Sequence, residues 1–296
     1  MSYFSDNQLN IPQSTNKRVL LLVQLSAIAV FLGRAYQHIF WDAPFRTILW
    51  DETWMSPFIS GPWSEWVTNP NVDAAIQNSI TYTGYFYLFC ALIAIIARWI
   101  PAVFRKILLL GAGVLMLLAF LYLKEKFWAI GQFFEYSLQF TAPIFLYYLL
   151  KQRVCTERMI LYLKLAVAIT FVCHGLYAVG YYARPGHFVQ MFINVLGISE
   201  SNAVNLLNLA GFADFALAIM LFIPKRKIQI AAAAYAIFWG FMTSIARVWA
   251  NFYPDFWEQS LHQFGFEMLM RLPHFLMPMA LLMLLLKLNS NIKMHK

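Results

Sequence analysis

Charge is scarce in this chain. Lys, Arg, Asp and Glu make up 12% of its 296 residues, about half the share of a soluble globular domain. With 61% hydrophobic residues and a mean hydropathy of +0.59, that scarcity excludes a soluble enzyme and marks an integral membrane protein. The net charge of +8 sits in short clusters between apolar runs, a pattern that sets topology and does not suggest nucleic acid. Cysteine is also scarce. Cys90, Cys155 and Cys173 form no CxxC, which argues against a disulfide framework, a dithiol redox site and a structural zinc site. Walker loops, GxGxxG fingerprints and Ser/His/Asp constellations are missing, so nothing points to ATP, dinucleotides or nucleophilic catalysis. No cleavable signal is visible either. The first apolar run is too long for a signal core and has no small-residue cleavage site, so it reads as an uncleaved first span.

What is present is a succession of apolar runs. A helix crossing a hydrocarbon core needs about 20 residues. Eight runs qualify, near 19–40, 79–99, 107–124, 130–150, 159–181, 203–223, 228–249 and 266–287. None alternates with period two, so helices are expected and a barrel is not. The basic clusters Lys17-Arg18, 98–106, 151–158, 225–227 and Lys287 to Lys296 fall on one side. Asp42, Asp51, Glu52, Glu65, Asp73, Glu200, Asp255 and Glu258 fall on the other. The positive-inside rule then places both termini in the cytoplasm.

The chain also repeats itself. Arg105-Lys106 opens a run that closes at Lys126-Phe127-Trp128, and Arg226-Lys227 opens one that closes at Arg247-Val248-Trp249, offset by 121 residues at both ends. Tyr36 precedes Pro44 by eight residues, as Tyr177 precedes Pro185. Gly84 and Gly211 begin runs that end at Pro101 and Pro224, while Glu135 and Glu267 are expected to start the last helix of each half. The expected fold is therefore an all-α polytopic membrane protein, with about eight transmembrane helices as two tandem four-helix bundles. A cytoplasmic tail (1–18) precedes a first four-helix unit (19–152), which carries a Trp- and Pro-rich outer loop (41–78). A second unit (153–288) and a cytoplasmic tail (289–296) follow. The outer loop is expected to form a compact cap at the interface. Loops 182–202 and 250–265 are its counterparts.

Ionisable groups inside the spans are the candidate site. Counting at 1.5 Å per residue from the basic ends puts Arg34, His38, Glu135, His174, Arg271 and His274 roughly 20–30 Å up. Glu267, Lys126 and Arg247 lie beyond or level with them, and Asp214 is a midplane acid about 16 Å above Lys225. A charge inside the bilayer costs about 3 kcal/mol unless paired or hydrated, so these groups should face the bundle interior. Arg34 and His38 are four apart; Glu267, Arg271 and His274 follow i, i+4, i+7; Glu135 and Gln139 are four apart. The spacing predicts a polar chamber open to the outer face, lined by spans one, four, five, seven and eight, with Tyr36, Tyr177, Trp128 and Trp249 at its rim. Its expected polar site comprises Arg34, His38, Glu135, His174, Arg247, Glu267, Arg271 and His274. Plain structure competes with this reading: Glu267 with Arg271 can be an ion pair that locks the bundle, Lys126 and Arg247 can snorkel, and Asp214 can serve a helix–helix hydrogen bond or handle a proton. His38, His174 and His274 carry no ligand motif, so haem is disfavoured and no metal is expected. Pro143, Pro273 and Pro278 interrupt the last span of each half.

The stretch FVCHGLYAVGYYARPGHFVQM, 171–191, resembles the opening of the DoxX-like membrane proteins. In that superfamily a first span ends in a glycine-containing turn, followed by a Pro-Gly and a reentrant or amphipathic piece. Its members include DoxX, the DoxD subunit of thiosulfate:quinone oxidoreductase and a group of cargo receptors. More distantly it includes the membrane domain of vitamin K-dependent carboxylases, which the segment from Gly33 to Pro57 slightly resembles. Lys124-Glu125-Lys126 lies near the lysine base of that domain, but its surroundings do not match, and no catalytic residue carries over. The resemblance implies a four-helix scaffold used twice. It does not imply a reaction. Three functions stay open: an accessory or assembly subunit of a membrane complex, a quinone- or lipid-linked redox subunit in the inner membrane, and a small-solute or proton-coupled transporter. The lipid bilayer and other membrane-complex subunits are the expected partners, and quinone is the cofactor the resemblance allows.

Overall fold

The computed structural model describes residues 13–152 and 155–294. Among them there is no strand. In chain order the helices are α1 (Gln13–Phe40), the short α2 (Arg46–Leu49), α3 (Glu52–Met55) and α4 (Trp63–Thr68), then α5 (Pro70–Ile96), the single turn α6 (Ala102–Arg105), α7 (Ile107–Glu125), α8 (Ile130–Glu135) and α9 (Ser137–Gln152). The second half holds α10 (Glu157–Ala178), α11 (Gly186–Leu196), α12 (Glu200–Met220), α13 (Arg226–Trp249), α14 (Trp257–Arg271) and α15 (Pro273–Met294). Seven stretches among the described residues are long and apolar enough to cross a membrane. The chain is an all-α polytopic membrane protein.

The fourth expected span differs from its expectation. It consists of α8 and α9, interrupted at Tyr136. The last span is interrupted as well, between Arg271 and Pro273. Glu135 therefore ends a short helix and Glu267 lies inside α14; neither starts the final helix of its half. The break at Tyr136 frees backbone donors, and the Thr170 hydroxyl on α10 accepts the N–H of Leu138 at 3.3 Å. At the second break Ser244 and His274 donate to the Arg271 carbonyl, both at 3.0 Å. Much of the sequence expected to be loop is helical. Asn69 caps α5 from its side chain and Pro70 takes the first helical position, so that helix starts well before residue 79. Residues 186–196 form α11, closed by Gly197 in the left-handed region (φ 64°).

The two halves share one core. α1 packs along α5, α14, α15 and α9, while α10 packs along α12, α8, α9 and α15. The first helix of each half thus meets the second helix of its own half and the broken helix of the other. Gly84 and Gly211 set the two intimate pairs. A Cβ on Gly84 would stand 3.1 Å from the Ala35 carbonyl oxygen, and one on Gly211 3.0 Å from that of Gly175. Where α5 ends, the Gln24 amide on α1 donates to the carbonyls of Ala94 and Ile95 at 2.8 and 2.9 Å.

These glycines also give relative heights. Gly84 sits level with Ala35 to Ile39 and Gly211 with Gly175 to Val179, close to where α1 and α10 stop. At 1.5 Å per residue, α5 and α12 extend about 21 and 16 Å from these glycines, well beyond the ends of α1 and α10. The segment 41–69 and helix α11 occupy the space so left, and we call this side the cap face. Trp66 donates its indole N–H to the Leu49 carbonyl at 3.0 Å. Arg46 pairs with Asp73 at 2.8 Å and with Asp42 at 3.1 Å.

Lys124 pins the cap to α7 through Asp51, and that hydrogen bond holds the Asp51 carboxyl below the usual carboxylate range. A depressed carboxyl stabilises the docked cap above its unfolded value and loses that contribution as pH falls through its folded value. The hydrogen-exchange protection of 46–68, corrected for the intrinsic pH dependence of amide exchange, is expected to stay constant from about pH 8 to 5 and to fall below about pH 4. Asp51→Asn should show the faster exchange already at neutral pH. Equal protection in the variant and the parent at neutral pH would contradict the pin.

Candidate functional site

Below the cap face lies a chamber of about 590 Å³, walled by α1, α7, α8, α9, α10, α13 and α14 and crossed by the start of α11. Arg34 on α1 stands in its wall. It is the largest of the fully buried side chains, 1% exposed. Among the described residues no carboxylate pairs with it. Its Nε and Nη2 donate to Gln139 Oε1 at 3.2 and 2.7 Å, and its Nη1 donates to Gln37 Oε1 at 2.7 Å. Tyr136, the residue at the α8–α9 break, lies with its ring 4.8 Å from the guanidinium, and Tyr122 lies 5.6 Å away. The two rings stack on each other at 5.3 Å. A guanidinium has five N–H donors; three go to the two glutamine oxygens, and the Tyr136 side chain also interacts with the cation.

The opposite wall carries its own polar cluster. Glu135 Oε1 takes Arg271 Nη2 at 3.1 Å and His174 Nε2 at 3.3 Å, and Gln132 Nε2 donates to Oε2 at 3.3 Å. Tyr177 donates its hydroxyl to Gln132 Oε1 at 3.2 Å. His174 and His274 stack face to face, centroids 5.1 Å apart and 8° from parallel, so their ring nitrogens do not converge on one point. Arg247 pairs with Glu267 at 3.1 Å. Among the described residues no three His, Cys, Asp or Glu side chains form a group able to hold a metal ion.

Of the eight residues assigned to the chamber, Arg34, Glu135, Arg247, Glu267 and Arg271 line it. His174 and His274 stand behind that wall, bonded to Glu135 and to the Arg271 carbonyl. His38 does not face the chamber. Its Nδ1 bonds the Arg34 carbonyl at 2.7 Å and its ring meets Tyr87 edge-on at 5.2 Å. Four residues advance a helix by about 400°, so His38 is rotated some 40° from Arg34, towards α5. The expected Glu267–Arg271 pair is likewise replaced: each side chain takes a partner from another helix, Arg247 and Glu135. Of the four expected rim aromatics only Tyr177 lines the chamber. Tyr36 bonds His262, Trp128 stacks on Trp54, and Trp249 is exposed. Span three contributes Tyr122, Glu125 and Lys126, and α11 contributes His187 and Gln190, elements left out of the expected lining. Gln37, Gln132 and Tyr136 were also missed. A glutamine inside an apolar run was the available signal, since an unpaired amide in hydrocarbon is costly.

Asp214 lies apart from the chamber, 1% exposed. It borders a second, smaller void of about 50 Å³, whose wall includes His174, Thr243, Arg247 and Arg271. Comparison with protein-family models, with curated proteins and with solved structures gives no match for the chain.

Proposed function

We propose that this is a DoxX-like membrane protein of the inner membrane, with both termini cytoplasmic, whose chamber holds the head group of a quinone or lipid. It would serve as the ligand-binding subunit of a membrane redox complex. The observation that carries the reading is Arg34: a buried cation, unpaired with acid, set in the wall of a chamber of molecular size. Uncompensated charge inside a bundle is costly and persists where it has work to do. Oxygen-rich head groups supply what Arg34 lacks, since carbonyl, carboxylate and phosphate oxygens all accept from a guanidinium. The amides of Gln37, Gln132 and Gln139 offer further donors and acceptors. Phe264, Phe266 and Met270 furnish an apolar wall for a ring or chain. The wall as a whole is close to evenly divided between polar and apolar groups, which suits the polar head of an amphipathic molecule with its apolar part alongside.

The test is to purify the protein from its membranes in mild detergent, extract it, and quantify quinones and lipids by mass spectrometry. The parent should carry one molecular species at near-stoichiometric amount. Arg34→Gln should lose at least about 90% of it, the effect of removing a charged hydrogen bond worth roughly 1.5–3 kcal/mol. The identity of the extracted species separates quinone from lipid. Equal recovery from the variant, or no enriched species in the parent, would contradict the reading.

A further inference from the structure

The chamber has a buried acid beside it that the binding reading does not use. Asp214 on α12 has no basic partner among the described residues. The Trp239 indole faces it, and the Tyr235 hydroxyl donates to its Oδ1 at 3.5 Å. A carboxylate buried without a counter-charge is costly, whereas a carboxylic acid is far less so and has a proton to give.

The void beside Asp214, about 50 Å³, has room for at least one water molecule, and its largely apolar wall includes the polar side chains of His174, Asp214, Arg247 and Arg271. His174 reaches it from α10, Trp239, Thr243 and Arg247 from α13, and Arg271 from α14. α11 supplies Phe188, Met191 and Phe192, and His274 of α15 is stacked behind His174. Arg247, Arg271, Phe188 and Met191 border both this void and the chamber. A single layer of side chains therefore separates the two. Within that layer His174 Nε2 lies 3.3 Å from Glu135 Oε1 and 3.4 Å from Arg271 Nη1, and Glu135 opens onto the chamber.

We propose that Asp214 is a proton-exchange site wired to the chamber through the small void, His174 and Glu135. A proton leaving the Asp214 hydroxyl passes to water in the void, then to His174 and Glu135, and so to whatever group in the chamber accepts it. The reverse path restores the acid, and no bond other than O–H and N–H bonds changes. The route is independent of which head group the chamber holds.

The test reads the acid directly, by infrared spectroscopy of the purified full chain. The parent should show a carbonyl band of a protonated carboxyl that disappears in Asp214→Asn and shifts promptly on transfer to deuterated water. Asp214→Glu should move the band, which secures the assignment if the Asn variant is not recovered. Thr243 borders the void and spends its hydroxyl on backbone carbonyls of its own helix. Thr243→Leu should fill the void, keep the band, and slow its deuterium shift at least about tenfold, because exchange then waits for local opening. Three outcomes would overturn the proposal: no Asp214 band, a parent band that does not exchange, or equally fast exchange in Thr243→Leu. None of them affects ligand co-purification, so this idea and the binding reading can fail separately.

Discussion

Glu135→Ala is expected to cost about 3–5 kcal/mol, measured by unfolding in mixed micelles, the penalty for breaking a buried ion pair on one side. The carboxylate joins α8 of the first half to α10 and α14 of the second, through His174 and Arg271. Its loss leaves the Arg271 guanidinium in a wall where its side chain is only 17% exposed and strips the acceptor from His174. Glu125 provides the control. It lines the same chamber but makes no ion pair among the described residues, so Glu125→Ala should stay within about 0.5 kcal/mol of the parent. Replacing Glu135 and Arg271 together by leucine should recover most of the loss, because apolar pairs of similar volume often match a buried ion pair. A Glu135→Ala cost near that of Glu125→Ala would mean that water in the chamber carries both charges and that the cluster does not join the halves.

Gly240→Ala is expected to cost about 3 kcal/mol or more, at the upper end of overpacking penalties. A methyl there would collide with the His274 carbonyl oxygen and stand 2.6 Å from its carbonyl carbon. Both atoms are backbone, so no side-chain rotation relieves the clash and α13 must part from α15. That contact also places His274 against His174 and brings Ser244 to the Arg271 carbonyl. The variant should therefore disturb the chamber wall as well as stability. Gly113 in α7 has nothing within 4 Å of its added Cβ. Gly113→Ala should be neutral or stabilising by about 0.5–1 kcal/mol, the helix-propensity gain. Similar unfolding midpoints for the two variants would show that α13 and α15 do not approach as closely as described.

The long helices were legible because length and hydropathy alone specify them. Residues 107–124 and 228–249 fall almost where α7 and α13 lie. The break at Tyr136 was not, since neither glycine nor proline marks it. It depends on Thr170 of another helix accepting an N–H and on Tyr122 stacking against Tyr136, and both are contacts between distant residues. Spacing along one helix correctly nominated Glu267 and Arg271 as interior groups but gave them to each other. Partners 20 and 136 residues away, on other helices, took them instead. The same blindness to helix rotation put His38 into the chamber. Arg34 was legible as a buried charge; that amide oxygens and rings would stand in for an acid was not.

We propose that Arg34 holds a head group. This is tested most directly by electron cryo-microscopy of the protein taken from its own membranes into lipid nanodiscs. Non-protein density is expected in the chamber, with its polar end against the Arg34 guanidinium and Gln139 and its apolar part along Phe266 and Met270. A chamber holding only isolated water-sized peaks, with Arg34 bonded as it is here, would contradict it.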